Sequence, residues 1–367
     1  MKRILLLLTV VSLIVSGCGN FLEEDVIEPE EEGETEVSII PSHSIEENQY
    51  KILLPYRPSA SRGSITNQIT NRVDIDELEE GLRRHSTAVF SPEKYVFEEG
   101  QYLTTEKIFE LIDTLNPTIK DEGSKKEHKK NPRVFSHILE QNFLERKENR
   151  VNLVGISIGI SLKSVYRYQT ETGGPYFYED IPQNEMIKEG EKIAQTVMNE
   201  IREIEGLESV PVMIALFREA EQSSPVPGSF VQKTVVKKDE TEIGKWEKIN
   251  EEYILFPSSE AKDKYATEYQ KVKAFSEKID EYFPNYVGTA GTGFYIDGDI
   301  TKLSIEVPIE FYGKGEVIGF TQYAYGIVQE IFDTHYDIEV AVFSSDGAES
   351  LIYRDSGEEE PRVHIFH

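Results

Sequence analysis

Two stretches about 150 residues apart run through the same order of periodicities, and this repetition limits the available folds more than any other feature. In the first, "LVGISIGISL" (153–162) alternates at the two-residue period of a strand. "NEMIKEGEKIAQTVMNEIREIEG" then places Ile187, Ala194, Val197, Met198, Ile201 and Ile204 at steps of three and four, the spacing of one buried helix face. Asn184 fits its start and Gly206 its stop. "VPVMIALF" (210–217) is the returning strand. In the second, "KLSIEVPIEFYG" alternates, and "EVIGFTQYAYGIVQEIFDTHY" carries a stripe of Val317, Phe320, Ala324, Ile327, Val328 and Ile331. "DIEVAVFSS" returns as a strand, and Asp346-Gly347 gives a tight-turn signal for a closing hairpin. One strong helix per copy predicts two related α+β domains of strand–helix–strand type, not a doubly wound sheet with regular alternation.

Other helices fill the intervals. "SSEAKDKYATEYQKVKAFSEKIDEYFP" reads as one helix between Pro257 and Pro284, with Ala261, Tyr265, Val272, Phe275 and Ile279 on its buried face, joining the two units. Asp74 with Glu77 makes a capping-box-like start for an Ile75, Leu78, Leu82 face. Thr105 begins an Ile108, Leu111, Ile112, Leu115 face that Pro117 stops. The expected divisions are a leader over 1–17, an anchor and acidic linker over 18–49, a first domain over 50–257, a connecting helix over 258–284 and a second domain over 285–367.

The leader is explicit. Lys2 and Arg3 precede an apolar run from Ile4 to Val15, and Ser16 and Gly17 lead into Cys18. That is the three-part layout of a secretory signal, too short for a comfortable membrane span. Val15-Ser16-Gly17-Cys18 resembles a bacterial lipobox, in which the thiol of Cys18 receives diacylglyceryl and the bond between Gly17 and Cys18 is cut. Cys18 is the only cysteine, so no thiol remains for a disulfide or a nucleophile. The expected location is the extracytoplasmic face of the cell membrane, held by the lipid on Cys18 after action by lipoprotein-processing enzymes.

Charge narrows the partners. The chain has 39 Lys and Arg against 67 Asp and Glu, a formal charge of −28, and loss of Lys2 and Arg3 with the leader makes it more negative by two. Such a surface repels nucleic acid and anionic lipid. From Asn20 to Asn48, Glu23, Glu24, Asp25, Glu28, Glu30, Glu31, Glu32, Glu34 and Glu36 leave too little apolar surface to offset ordering, which predicts a disordered acidic tether.

Several motifs invite a chemical reading. In "YGKGEVIG", Gly313, Gly315 and Gly319 follow a predicted strand and open a helix, as a phosphate-binding turn would. The first copy has no counterpart, so a tight strand-to-helix turn is the better reading. "YRPSASRGSITNQITNR" concentrates Arg57, Arg62 and Arg72 beside Tyr56, Asn67 and Asn71. Pairing with the chain's own surplus carboxylates is the simpler explanation. The functional alternative is a site for a carboxylate or a polar glycan-like ligand, and no other segment of the body offers a better one. "KKEHKK" (125–130) reads as a solvated loop. His364 and His367 would diverge in a terminal strand. "SVYRYQTETGGPYFYED" fits either an aromatic binding surface or a two-sided hairpin. No His-Glu-x-x-His or Gly-x-Ser-x-Gly occurs, so no catalytic residue, metal site or cofactor is assigned and the expectation is a protein that is not an enzyme.

The lipobox and tether, together with "LLPYRPSASRG", "NRVDIDELEEGLRR", "FSPEKYVFEEGQYL", "SHILEQNFL", "GISIGISLKSVYRYQ", "VPVMIALF", "VPGSF" and "VPIEFYGKGEVIGFTQYAYGI", resemble the CamS family, the sex-pheromone precursor lipoproteins of Gram-positive bacteria. The resemblance runs from Tyr50 to about Ser344 and implies two CamS-type repeats. It also implies a product cut from the end of the signal sequence. By position that peptide is Val11, Ser12, Leu13, Ile14, Val15, Ser16 and Gly17, which lacks the Ala-Ile-Phe start associated with the family's pheromones. Its implied partner is a peptide receptor in recipient cells, and its role a signal for conjugative plasmid transfer. A cell-surface module that binds a cell-wall or peptide ligand is the alternative for the body.

Overall fold

The computed structural model describes residues 25–27, 38–41, 49–69, 72–119, 123–147 and 150–367. The leader and Cys18 lie outside this set. Strands β1 (Asp25–Ile27) and β2 (Ser38–Ile40) pair antiparallel within the stretch expected as a bare tether. Ile39 and Leu54 exchange backbone hydrogen bonds of 2.6 and 2.9 Å, and Ile40 is buried with Leu53, Val96 and Leu144. The end of the linker is therefore fastened to the body, because Ile39 and Ile40 supply the apolar surface that the glutamates ahead of them lack.

Two helices follow, α1 (Ala60–Gln68) and α2 (Arg72–Ser86). The first sheet then forms from β3 (Val96–Glu99), β4 (Phe135–Lys147), β5 (Arg150–Leu162), β8 (Val212–Arg218), β9 (Ser229–Val236) and β10 (Glu247–Lys248), neighbours in that order. Between β3 and β4 lie α3 (Thr105–Leu115) and α4 (Lys125–Lys130). A separate hairpin of β6 (Val165–Tyr168) and β7 (Phe177–Asp180), then α5 (Gln183–Arg202), separate β5 from β8. β5 and β8 are parallel, Ile156 beside Val212 through Leu162 beside Arg218, and every other pair is antiparallel.

The strand sequence of β5 explains why this sheet is covered on both faces. Ile156, Ile158, Ile160 and Leu162 point toward α3 and α5 and share their core. The alternate residues are small: Gly155, Ser157, Gly159 and Ser161. They let α2 lie directly on the sheet, where a Cβ on Gly159 would sit 3.1 Å from Leu78 and the Ser157 hydroxyl meets that of Ser86 at 2.8 Å. Leu78 and Leu82 then pack with Phe143, Met213, Ala215, Phe217 and Phe230. What reads as plain alternation encodes an aliphatic face and a close-approach face.

The second sheet has β11 (Glu251–Phe256), β12 (Ala290–Ile296), β13 (Asp299–Pro308), β14 (Asp337–Ser344), β15 (Gly347–Arg354) and β16 (Arg362–Ile365), again in spatial order. Here α6 (Ser259–Lys264) and α7 (Ala266–Tyr282) join β11 to β12, and α8 (Lys314–Ile331) joins β13 to the parallel β14. The strand order, the single parallel pair and the placement of helices between the first and second and between the third and fourth strands match the first sheet. The Asp346-Gly347 turn joins β14 to β15 as its chemistry predicts. The stretch expected as one connecting helix is two, broken at Tyr265, and Val272, Phe275 and Ile279 bury themselves in the second core beside Phe320, Ala324 and Val328. It covers a sheet and does not bridge two. On β13, Lys302, Ser304 and Glu306 alternate with buried Leu303, Ile305 and Val307, so this strand turns polar residues to the face opposite the helices.

Three local readings change. Asp74 does not cap α2: the helix already begins at Arg72, and the buried Asp74 carboxylate accepts from Ala220 N (3.2 Å) and from Gly228 N. Pro182, not Asn184, precedes α5. "KKEHKK" is α4, capped by a reciprocal Ser124–Glu127 box, and His128 stacks on Tyr168 at 4.2 Å with Nδ1 2.9 Å from the Tyr166 hydroxyl. Apolar anchoring by one histidine on two tyrosines is invisible in a run of lysines.

The last turn of α2 reaches the second sheet. Arg84 donates to Glu77 Oε1 at 2.7 Å and to Glu251 Oε2 at 3.2 Å, His85 Nε2 lies 3.1 Å from Glu251 Oε1, and the Tyr253 hydroxyl donates to Glu77 Oε2 at 2.6 Å. The Arg84 guanidinium also lies 4.7 Å over the Phe294 ring. Burial opposes the Arg84 charge, but the two carboxylates outweigh it and hold its pKa above the ordinary value. Burial pushes Glu77 up, whereas at Glu251 the His85 and Arg84 contacts outweigh burial and pull its pKa down.

Candidate functional site

The arginine segment singled out above satisfies its own charges. Arg57 meets Glu98 at 2.7 Å, and Arg62 meets Glu79 at 2.8 Å and Glu99 at 3.1 Å. The Tyr56 hydroxyl donates to Glu99 Oε1. The side chain of Arg72 lies outside the described set, and its backbone opens α2. Tyr56, Arg57 and Arg62 thus gather around three glutamates of the same chain. The glycine turn is occupied in the same sense: Glu316 Oε2 accepts from Tyr312 N at 2.6 Å at the start of α8. A Cβ at Gly313, Gly315 or Gly319 would meet nothing within 4 Å, so no close backbone approach requires those glycines. His364 is exposed against Phe366 at the end of β16.

A cleft of about 490 Å³ opens elsewhere, at the carboxyl ends of the parallel strands β5 and β8. One wall is the segment after β5, with Lys163, Ser164 and the base of the β6–β7 hairpin, and the other is the loop after β8, with Glu219 to Ser223. Open α/β sheets hold ligands in this position, because the chain leaves the two strand ends in different directions and a crevice remains. The hairpin resolves the tyrosine-rich stretch into both of its readings. Tyr166 and Tyr168 are buried, whereas Tyr176 and Tyr178 are 52% and 61% exposed, Tyr178 on the cleft wall.

The electrostatics of this cleft are unusual for so acidic a chain. Lys163 is largely buried, and burial pushes its pKa down. Glu219 counters that, while Arg133 and Arg167 add to it. Among the described residues Lys163 makes no ion pair; Arg133 pairs with Asp113 at 3.0 Å. Arg167 Nη1 donates to Gln222 Oε1 at 2.9 Å across the cleft, and its guanidinium lies 4.6 Å over Tyr176. Glu219, at the cleft floor, accepts from Ser161 Oγ at 2.6 Å, and burial raises its pKa above the ordinary carboxylate range. No motif marked Lys163 in the sequence. The only available signal was its position, directly after the strand that leads into the crossover helix.

His137 lies behind this floor, beside Ser161 in the β4–β5 register. Its two ring nitrogens are buried without a hydrogen-bond partner among the described residues, and burial lowers its pKa to about 3. A neutral imidazole with unmade hydrogen bonds weakens the fold. His137→Leu is expected to raise stability by about 1 kcal/mol in urea unfolding at neutral pH. The gap should widen on acidification. Below about 6.5 the unfolded chain takes up a proton at His137 that the native chain refuses until near pH 3, so wild-type stability falls with pH across that window. A gap that does not change with pH would contradict the buried neutral state.

The family model described as CamS sex pheromone cAM373 precursor matches residues 56–360. The crystal structure of a sex pheromone precursor from Lactobacillus salivarius subsp. salivarius UCC118 is similar with a TM-score of 0.82 and 28% identity, covering 89% of this chain and 98% of that one. The structure of the C-terminal domain of the sex pheromone staph-cAM373 precursor from Staphylococcus aureus is similar with a TM-score of 0.69 and 27% identity, covering 83% and 99%. No curated relative matches.

Proposed function

The chain belongs to the CamS family of sex pheromone precursors, and from that premise we propose that it is made as a lipoprotein with two products. One is the heptapeptide of residues 11–17, released when the leader is cut ahead of Cys18 and its 17-residue fragment is hydrolysed again between Val10 and Val11 by signal-peptide proteolysis. The other is the folded body, held on the extracytoplasmic face by the lipid on Cys18. The observation that carries this reading is the order of residues 15–18, in which two small residues lead from the apolar run into the only thiol of the chain.

Its chemistry suits the two fates. The peptide has no charged side chain and is mostly apolar, so a released fragment can leave the bilayer and meet a peptide receptor on a recipient cell. One acyl group binds a membrane reversibly, and two chains of a diacylglyceryl group give a stable anchor. No described helix is long and apolar enough to cross a membrane, which is consistent with anchoring by lipid. The matching order of the two sheets supports reading the body as two copies of one unit, over 96–248 and 251–365.

Cys18→Ala tests the proposal. Without the thiol the chain is expected to keep its leader, lose its lipid and release no residue 11–17 fragment, as read by intact mass of the cell-associated protein. A variant still cut between residues 17 and 18 would overturn the lipobox reading.

A further inference from the structure

We propose that the cleft between the β6–β7 hairpin and the loop after β8 binds a small carboxylate, the α-carboxylate of an amino acid or of a short peptide, through Lys163 and Arg167. This goes beyond the precursor reading and stands whether or not the leader fragment signals.

Three observations carry it. First, the cleft gathers cations in a chain with 67 acidic residues, and Lys163 has no ion-pair partner among the described residues while Arg167 faces the neutral Gln222 amide and a tyrosine ring. These two positive charges share the cleft with Glu219 and Glu221 but make no ion pair with either among the described residues. Glu219 instead accepts from Ser161, so both cations keep capacity for a ligand anion. Second, the same walls carry Glu219 and Glu221. Two carboxylates oppose a dianion such as phosphate, but they suit a ligand whose single carboxylate sits beside an ammonium or amide donor. Third, the volume of about 490 Å³ and the exposed Tyr178 ring on the wall leave room for a side chain packed against an aromatic face.

In this arrangement the ligand carboxylate accepts from Lys163 Nζ and from a guanidinium nitrogen of Arg167 not used by Gln222. Ser164 and Ser223 supply hydroxyls at the two walls. Glu221 lies on the loop side to accept from the ligand's own donors.

Equilibrium dialysis of the purified full-length lipoprotein in detergent, with the dipeptides Gly-Tyr and Ala-Ala, the Gly-Tyr amide and inorganic phosphate as probes, tests the assignment. Saturable binding of a free dipeptide at millimolar concentration is expected. The amide should bind about tenfold more weakly or worse, and phosphate should not compete. Lys163→Met and Arg167→Gln should each weaken dipeptide binding by about tenfold with unchanged circular dichroism. Arg167 is exposed, so its variant reports even if the Lys163 variant fails to fold. Absence of saturable binding for both dipeptides, equal binding of the amide, competition by phosphate, or unchanged binding in Arg167→Gln would each overturn the proposal.

Discussion

Replacing Arg84 by methionine is expected to destabilise the protein by about 3 kcal/mol, the low end of the range for breaking a buried ion pair because the Arg84 side chain is 34% exposed. Methionine keeps much of the length and the contact with Phe294 but removes the cation that Glu77 and Glu251 share. Both carboxylates are nearly inaccessible, with side-chain exposures of 8% and 2%, and they reach Arg84 from different sheets' surroundings. Glu251 retains His85, whereas Glu77 keeps only the Tyr253 hydroxyl, so Glu77 carries most of the loss. Adding Glu77→Gln to Arg84→Met should therefore recover part of the stability, a non-additive result that urea unfolding of the four chains measures. A loss under about 1 kcal/mol for the single variant would mean that the cluster is solvated and does not hold the two sheets together.

The second large effect is expected at Gly228, for a steric reason. A Cβ at this position would lie 1.9 Å from the Arg218 carbonyl oxygen and 2.9 Å from Ala220 N. Both are backbone atoms, so no rotamer change relieves the clash. Gly228 N also donates to the buried Asp74, as does Ala220 N, which ties both ends of the loop over 219–228 to α2. Gly228→Ala must displace that loop, break those bonds and move one wall of the cleft. A loss of about 3 kcal/mol or more is expected, with weakened dipeptide binding in any fraction that folds. Gly63→Ala is the control, because its Cβ meets nothing within 4 Å inside α1, and alanine there should be neutral or stabilising by up to about 1 kcal/mol. Wild-type stability in Gly228→Ala would contradict the packing described for the loop.

These two sites mark the border between what the sequence made legible and what it hid. Strand and helix order were readable because periodicity is local: Ile156, Ile158 and Ile160 announce a buried face, and Val197, Met198 and Ile201 a helix stripe. The same locality explains the misreadings. Asp74 looks like a cap from its neighbours, yet its partners are 146 and 154 residues away. That Arg62 would pair within the chain followed from the surplus of carboxylates, but its partner Glu99, 37 residues downstream, could not be picked out locally. The helix pair over 259–282 has the pattern of a connector only because the strand that precedes it, β11, shows little alternation of its own. The cleft was hardest to foresee, since Lys163 and Arg167 acquire meaning only when β8 is laid parallel to β5.

The leader fragment is the most direct test of the account as a whole. Mass spectrometry should quantify the heptapeptide Val-Ser-Leu-Ile-Val-Ser-Gly in culture supernatant from cells that carry the wild-type chain and from cells that carry Cys18→Ala. The peptide is expected in the first and absent from the second, with the wild-type body remaining on the membrane. Equal amounts in both, or none in either while the body is lipidated at Cys18, would contradict a precursor with two products.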